Sequence, residues 1–309
     1  MPENARPIHA VEGFQRNLET LAKGASINVI GIGVRAVLVF AHGIIVARMV
    51  GVSSYGVYTI AFSIFSLLLL GGQLGMDGAI VRYVSEYQSA GRLDRAKTVL
   101  IRSLQLSAGI TLLAALALYI SADRIAQVYA SAQLASVLRY FALALPFGVI
   151  AQLLSAFTQA FRAMRFKFIV QDFLRPSMEL VLGIALVLLG FSVTGLAMAY
   201  AVAALAGVLL LWRFASRLGA LDRTLAGEVA MKPVILFALP VLAALLMRQA
   251  SVRVNVLAVG GLMDEKAAGA FNAASQTVKL STLFAHSVTL IFAPIASALY
   301  HSQHYLQLE

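Results

Sequence analysis

The sequence predicts an all-α, polytopic integral membrane protein, and three observations carry that expectation. Hydrophobic residues make up 60% of the 309 positions and charged residues only 12%, with a mean hydropathy of +0.85. An ordinary soluble domain is ~45–50% apolar and ~25% charged. The apolar positions are gathered into runs that reach the ~20 residues needed to cross a bilayer as a helix. The runs lack the ~10-residue alternating pattern of a membrane barrel, and backbone amides in hydrocarbon must then be satisfied within helices.

Taken in order, residues 1–23 carry three acids and three bases, and residues 1–22 place Val11, Phe14, Leu18 and Leu21 at helical spacing, which predicts a short amphipathic helix on the cytoplasmic membrane surface. No cleavage pattern follows, so the first span is expected to be retained. Eight spans are predicted, at 23–46, 54–75, 99–122, 136–160, 168–190, 194–214, 233–260 and 268–300. With the N-terminus inside, sixteen Lys and Arg fall on the cytoplasmic links and the span ends that adjoin them, and four on the opposite side, as the positive-inside bias requires. The polar stretch 215–232 divides a first six-helix lobe, 23–214, from 233–309, the first two helices of a second lobe that is incomplete here.

A weak internal repeat supports that division. "GVSSYGVYTIAFS" and "GLMDEKAAGAFNAAS" superimpose when Gly56 is set on Gly269, which also aligns Tyr58 with Phe271 and Ala61 with Ala274. Six spans separate the copies, so both point the same way across the membrane, as in parallel transporter repeats.

The net charge of +10 is accounted for by the cytoplasmic links, and no nucleic-acid partner is expected. There is no cysteine and no clustered set of histidines, and neither a phosphate-binding loop nor a nucleophile elbow. No metal, cofactor or enzymatic activity is expected.

Charges in hydrocarbon cost at least ~2.5–3.5 kcal/mol each on insertion scales and therefore turn to a cavity or a partner. Asn28, Arg35 and His42 recur every seven residues on one face of the first span, with Arg35 near mid-bilayer. On the seventh span Arg248, Ser251 and Asn255 share a face, with Arg253 on another. Asn272, Gln276 and Lys279 share a face of the eighth. The cation excess points to an anionic ligand held by Arg35, Asn28, His42, Arg248, Asn255, Lys279 and Gln276. On the fifth span Arg175 is spaced to pair with Asp172 or Glu179, and Glu179 is the candidate for ion coupling. Asp77 lies about 34 Å beyond the start of the second span, past a ~30 Å core. It reads as a helix cap at an exit turn rather than a mid-membrane acid.

The stretch from Ala47 to Lys97, with Tyr55-Gly56-Val57-Tyr58, Leu74-Gly75-Met76-Asp77, Arg82, Glu86-Tyr87 and Gly91, resembles the signature region of bacterial polysaccharide flippases of the multidrug/oligosaccharidyl-lipid/polysaccharide exporter superfamily. The resemblance implies a polyprenyl-diphosphate-linked oligosaccharide as substrate, flipped from the cytoplasmic to the periplasmic leaflet of the inner membrane for cell-surface polysaccharide such as exopolysaccharide. It also implies membrane lipids, glycosyltransferases and a polymerase as partners, and makes Asp77 and Arg82 part of a cytoplasmic gate. Relatives carry twelve to fourteen spans, so eight are read as a C-terminally truncated fragment before a two-chain assembly. The alternatives are a cation-coupled multidrug exporter of the same superfamily and a truncated, non-transporting scaffold of a polysaccharide assembly complex.

Overall fold

The computed structural model describes residues 7–218 and 227–278, and side chains there except those of 7–25, 27 and 28. Every regular element among the described residues is helical. Five continuous helical stretches are long and apolar enough to cross a membrane: Val29–Ser89, Leu93–Val128, Ala132–Ala160, Met164–Arg217 and Met231–Leu262.

Two of the five fold back on themselves. In the first, Gly51 leaves helical geometry at φ 81°, ψ 162°, a conformation that glycine adopts at no Cβ cost. A straight helix would hold residues 42 and 58 about 24 Å apart, yet the His42 and Tyr58 rings are 6.0 Å apart. In the second, Gly190 and Ser192 take positive φ, and a Cβ on Gly183 would lie 3.2 Å from Leu196 Cδ2. The described residues thus make seven passes: 7–50, 52–73, Leu93–Val128, Ala132–Ala160, 164–190, Ser192–Arg217 and Met231–Leu262. An eighth begins at 265 and is described to 278. The chain is a multi-pass membrane protein.

The helix ends depart from the predicted spans for a physical reason. The third pass begins six residues before 99 and ends six after 122, because a helix continues into the interface beyond the apolar stretch that hydropathy detects. The N-terminal segment departs further. Helix runs unbroken from Pro7 into the first pass, so 7–22 is collinear with the span rather than a separate helix lying on the surface.

The fourth pass is the central post. Its most apolar window is 72% buried, and Ala142, Ala144, Ala151 and Ala156 admit close neighbours. Around it Phe65 and Phe141 stack at 4.8 Å, and Tyr200 meets Phe65 edge-on at 4.9 Å. Offset and edge-on geometries are those that the aromatic quadrupole favours.

The seventh pass lies antiparallel along the second. A Cβ on Gly260 would press on Ile60, Arg253 lies over Phe62, and Gly75 and Gly78 approach the Ala238 carbonyl and Val241. Between the second and third passes the helix Met76–Ser89 buries Met76, Ala79, Ile80 and Val84 and leaves Arg82 and Glu86 exposed, the amphipathic pattern of an interface helix. Its N-cap is Gly75 at φ 68°, and no side chain caps it. Asp77 therefore sits in the first turn, where the helix dipole favours an acid, and is not the cap that the sequence suggested.

The two repeat copies meet each other. A Cβ on Gly56 would strike the Glu265 carbonyl oxygen, and a Cβ on Gly269 would strike that of Val52. Subtracting the 213-residue displacement converts either contact into the other. That reciprocity is what a local two-fold between the copies produces.

Candidate functional site

The fifth pass supplies most of the charge of the site, and its backbone is altered where it does so. Pro176 has no N–H to offer the carbonyl of residue 172, and its ring would crowd that carbonyl in a regular helix. The preceding turn widens to a π-helix over Phe168–Leu174, with the Arg175 amide bonded to the Val170 carbonyl. The extra residue rotates Gln171 and Asp172 inward, where both are buried. Such π segments recur at functional sites.

The widened turn faces a cavity of about 580 Å³ among the first, second, fifth, sixth, seventh and eighth passes, within the range of small-ligand sites. Among the described residues its charged lining is Arg35, Lys167, Asp172, Arg175, Glu179 and Arg253, four cations against two acids. Both acids are engaged. Glu179 accepts from Arg175 Nε at 2.9 Å, and Arg175 also donates to Gln171 Oε1 at 3.2 Å while lying 4.6 Å over the Tyr200 ring. Lys167 Nζ stands 3.7 Å from Asp172 Oδ2. Arg35, also within electrostatic reach of Asp172, forms no hydrogen bond or ion pair among the described residues. Arg253 has a buried Nε without a hydrogen-bond partner among the described residues and lies 4.9 Å over Phe62. A guanidinium stacked on a ring keeps its N–H edge free for an oxyanion.

The structure brings some of the sequence candidates together and separates others. Arg35, His42, Gln276 and Glu179 line the cavity. The side chain of Asn28, and all of Lys279, lie outside the described residues. Arg248 and Asn255 are exposed and off the lining. Arg253, which the sequence assigned to another face, is the seventh-pass residue that faces in. Val256 and Gly260, three and seven residues on, are buried against the body, and this i, i+3, i+7 stripe carries Arg253 inward while Arg248 projects away. Asp77 and Arg82 lie at the Gly75 turn, away from the cavity. Arg82 stacks at 4.5 Å on Phe237 of the seventh pass, and Tyr83 donates to the Pro233 carbonyl at 3.2 Å.

Sequence reasoning missed Lys167, which it counted among cytoplasmic bases, and Tyr200, which carries no charge to draw attention. The signal that pointed to Lys167 is its position five residues before Asp172, which a helix widened by one residue per turn brings onto one face.

These features define a class, a polytopic helical membrane protein enclosing a cation-rich cavity. The profile of the family described as polysaccharide biosynthesis protein matches residues 45–308, and the chain belongs to that family. No curated protein matches the chain. A solved structure, protein A, superimposes with a TM-score of 0.68 at 19% sequence identity, over 86% of this chain and 61% of that one. The chain therefore spans about three fifths of the length of protein A, and the likeness concerns the fold alone.

Proposed function

We propose that the protein moves the anionic headgroup of a polyprenyl-diphosphate-linked oligosaccharide from the cytoplasmic to the periplasmic leaflet of a bacterial inner membrane, with its N-terminus cytoplasmic. The bodies 23–214 and 233–309 rock about the linker 215–232 to give alternating access. The observation that carries the reading is the pair Arg35 and Arg253, cavity cations with no acid bound to them among the described residues, while Lys167 and Arg175 occupy Asp172 and Glu179. Four cations inside the membrane are costly to insert, and in a cleft of low dielectric they attract a diphosphate more strongly than surface charges do. Membership of a polysaccharide biosynthesis family supports a substrate from that pathway. Glycosyltransferases and a polymerase are the partners in this reading, and Glu179, bound to Arg175, is the group through which an ion could be coupled.

The multidrug alternative needs free acids to meet cationic drugs, and Asp172 and Glu179 are each held by a cation. The test is surface polysaccharide in cells whose only copy carries Arg35→Ala or Arg253→Ala, with Arg124→Ala, outside the cavity, as control. Loss of polymer in the first two at normal protein level supports the reading. Retained polymer in both refutes it.

A further inference from the structure

At the Gly51 end of the cavity the start of the second pass meets the start of the eighth in three layers of contact. Innermost, Tyr55 and Asn272 both line the cavity, and the buried Asn272 amide donates to the Tyr55 hydroxyl at 2.9 Å. In the middle, Gly56 and Gly269 touch backbone to backbone, each leaving no room for a Cβ against the other segment. Outermost, Ser53 donates to the Glu265 carboxylate. In the middle layer the contact at the two glycines is backbone against backbone, so the segments can part or slide there without a side chain leaving a socket. The outer and inner layers hold it shut with one hydrogen bond each, and a hydrogen bond contributes only about 0.5–1.5 kcal/mol net. Two hydrogen bonds and a backbone contact between glycines are few enough holds for the segments to separate.

We propose that the paired repeat segments 52–56 and 265–272 are the seal of the cavity on the membrane face at which Gly51 lies, with the Gly56–Gly269 contact as its pivot. The seal opens to expose the cavity to that face and stays shut while the cavity faces the other. This goes beyond the transport reading and does not depend on which anion the cavity holds.

The sequence contains no cysteine, so introduced thiols report without background. Ala36 lines the cavity, and Ala36→Cys serves as the reporter, labelled by a membrane-impermeant thiol reagent applied to each face of the membrane in turn. A second pair, Ser53→Cys with Glu265→Cys, is joined by a short bifunctional thiosulfonate that replaces the reach of the glutamate. Joining the pair is expected to slow labelling of Ala36→Cys at least tenfold from the Gly51 face and to leave it unchanged from the other, with reversal on reduction. Gly56→Ala, which pushes the segments apart, is expected to raise labelling from the Gly51 face severalfold. If Gly56→Ala does not fold, the cross-linked pair decides alone. A change on both faces, or on neither, overturns the seal. Failure of the transport reading would instead appear as retained polymer in the Arg35 and Arg253 variants, with the labelling result intact.

Discussion

Neutralising Arg175 asks whether the cavity charges act as a unit. Its side chain is 9% exposed and that of its partner Glu179 19%. Arg175→Met keeps most of the volume, removes the 2.9 Å bond to Glu179 and the 3.2 Å bond to Gln171, and leaves a carboxylate without its counter-ion. Removing one partner of a buried pair costs about 3–5 kcal/mol. Glu179 retains access to the cavity, so the lower end applies, about 3 kcal/mol. The stacking over Tyr200 at 4.6 Å adds about 0.5–1 kcal/mol. Replacing both partners, Arg175→Met with Glu179→Met, removes the stranded charge, and the loss is expected to fall to about 1 kcal/mol, since deleting both sides of a buried pair is often near neutral. Unfolding free energies of the wild type, the two single variants and the double variant close the cycle, with a coupling of at least about 2 kcal/mol expected. A double variant as unstable as the sum of the singles would show that the two groups do not act together.

Three further outcomes follow from the packing. Gly31→Ala places a methyl 2.7 Å from Asp172 Oδ2 and 3.1 Å from Phe168, which forces the first and fifth passes apart and is expected to lower stability by about 1–3 kcal/mol in thermal unfolding; unchanged stability would contradict the close approach. Arg82→Ala loses a stacking contact on Phe237 at an exposed position and is expected to cost no more than about 1 kcal/mol; a larger loss in the same assay would give Arg82 a part in holding the fold together. Arg253→Ala is expected to reduce polymer export more than Arg248→Ala, and the reverse order would restore the face that the sequence favoured.

Much of the fold was legible because hydrophobic runs and the asymmetry of bases are direct imprints of the bilayer, and seven of the eight predicted spans correspond to described passes. The exit turn before Asp77 was legible too, since Gly75 stands where the chain needs positive φ. The site was legible only in part. Arg35 and His42 share a face because a seven-residue step nearly closes two helical turns, and the first pass is regular there. The fifth pass is not regular. The π turn before Pro176 shifts the register by an amount that no fixed 3.6-residue period contains, so the partner of Asp172 is Lys167 rather than Arg175. On the seventh pass two stripes, Arg248 with Asn255 and Arg253 with Gly260, are equally periodic. The choice is made by contacts with Ile60, Phe62 and Tyr129, which lie nearly two hundred residues or more than one hundred residues away in the chain. Asp77 shows the same limit in miniature, since its residue type suits a cap while the backbone gives that place to Gly75.

The central claim is that the cavity carries a lipid-linked anion across the membrane. Its most direct test is reconstitution of the purified full-length protein into vesicles holding a polyprenyl-diphosphate-linked oligosaccharide, followed by the fraction of sugar that an external, membrane-impermeant lectin or glycosidase can reach over time. The account predicts that accessibility rises faster with the protein than in empty vesicles, that neutralising Arg35 and Arg253 together abolishes the rise, and that a neutral polyprenol-linked sugar moves no faster than background. Equal movement of the diphosphate lipid with the wild type and with that double variant would contradict it.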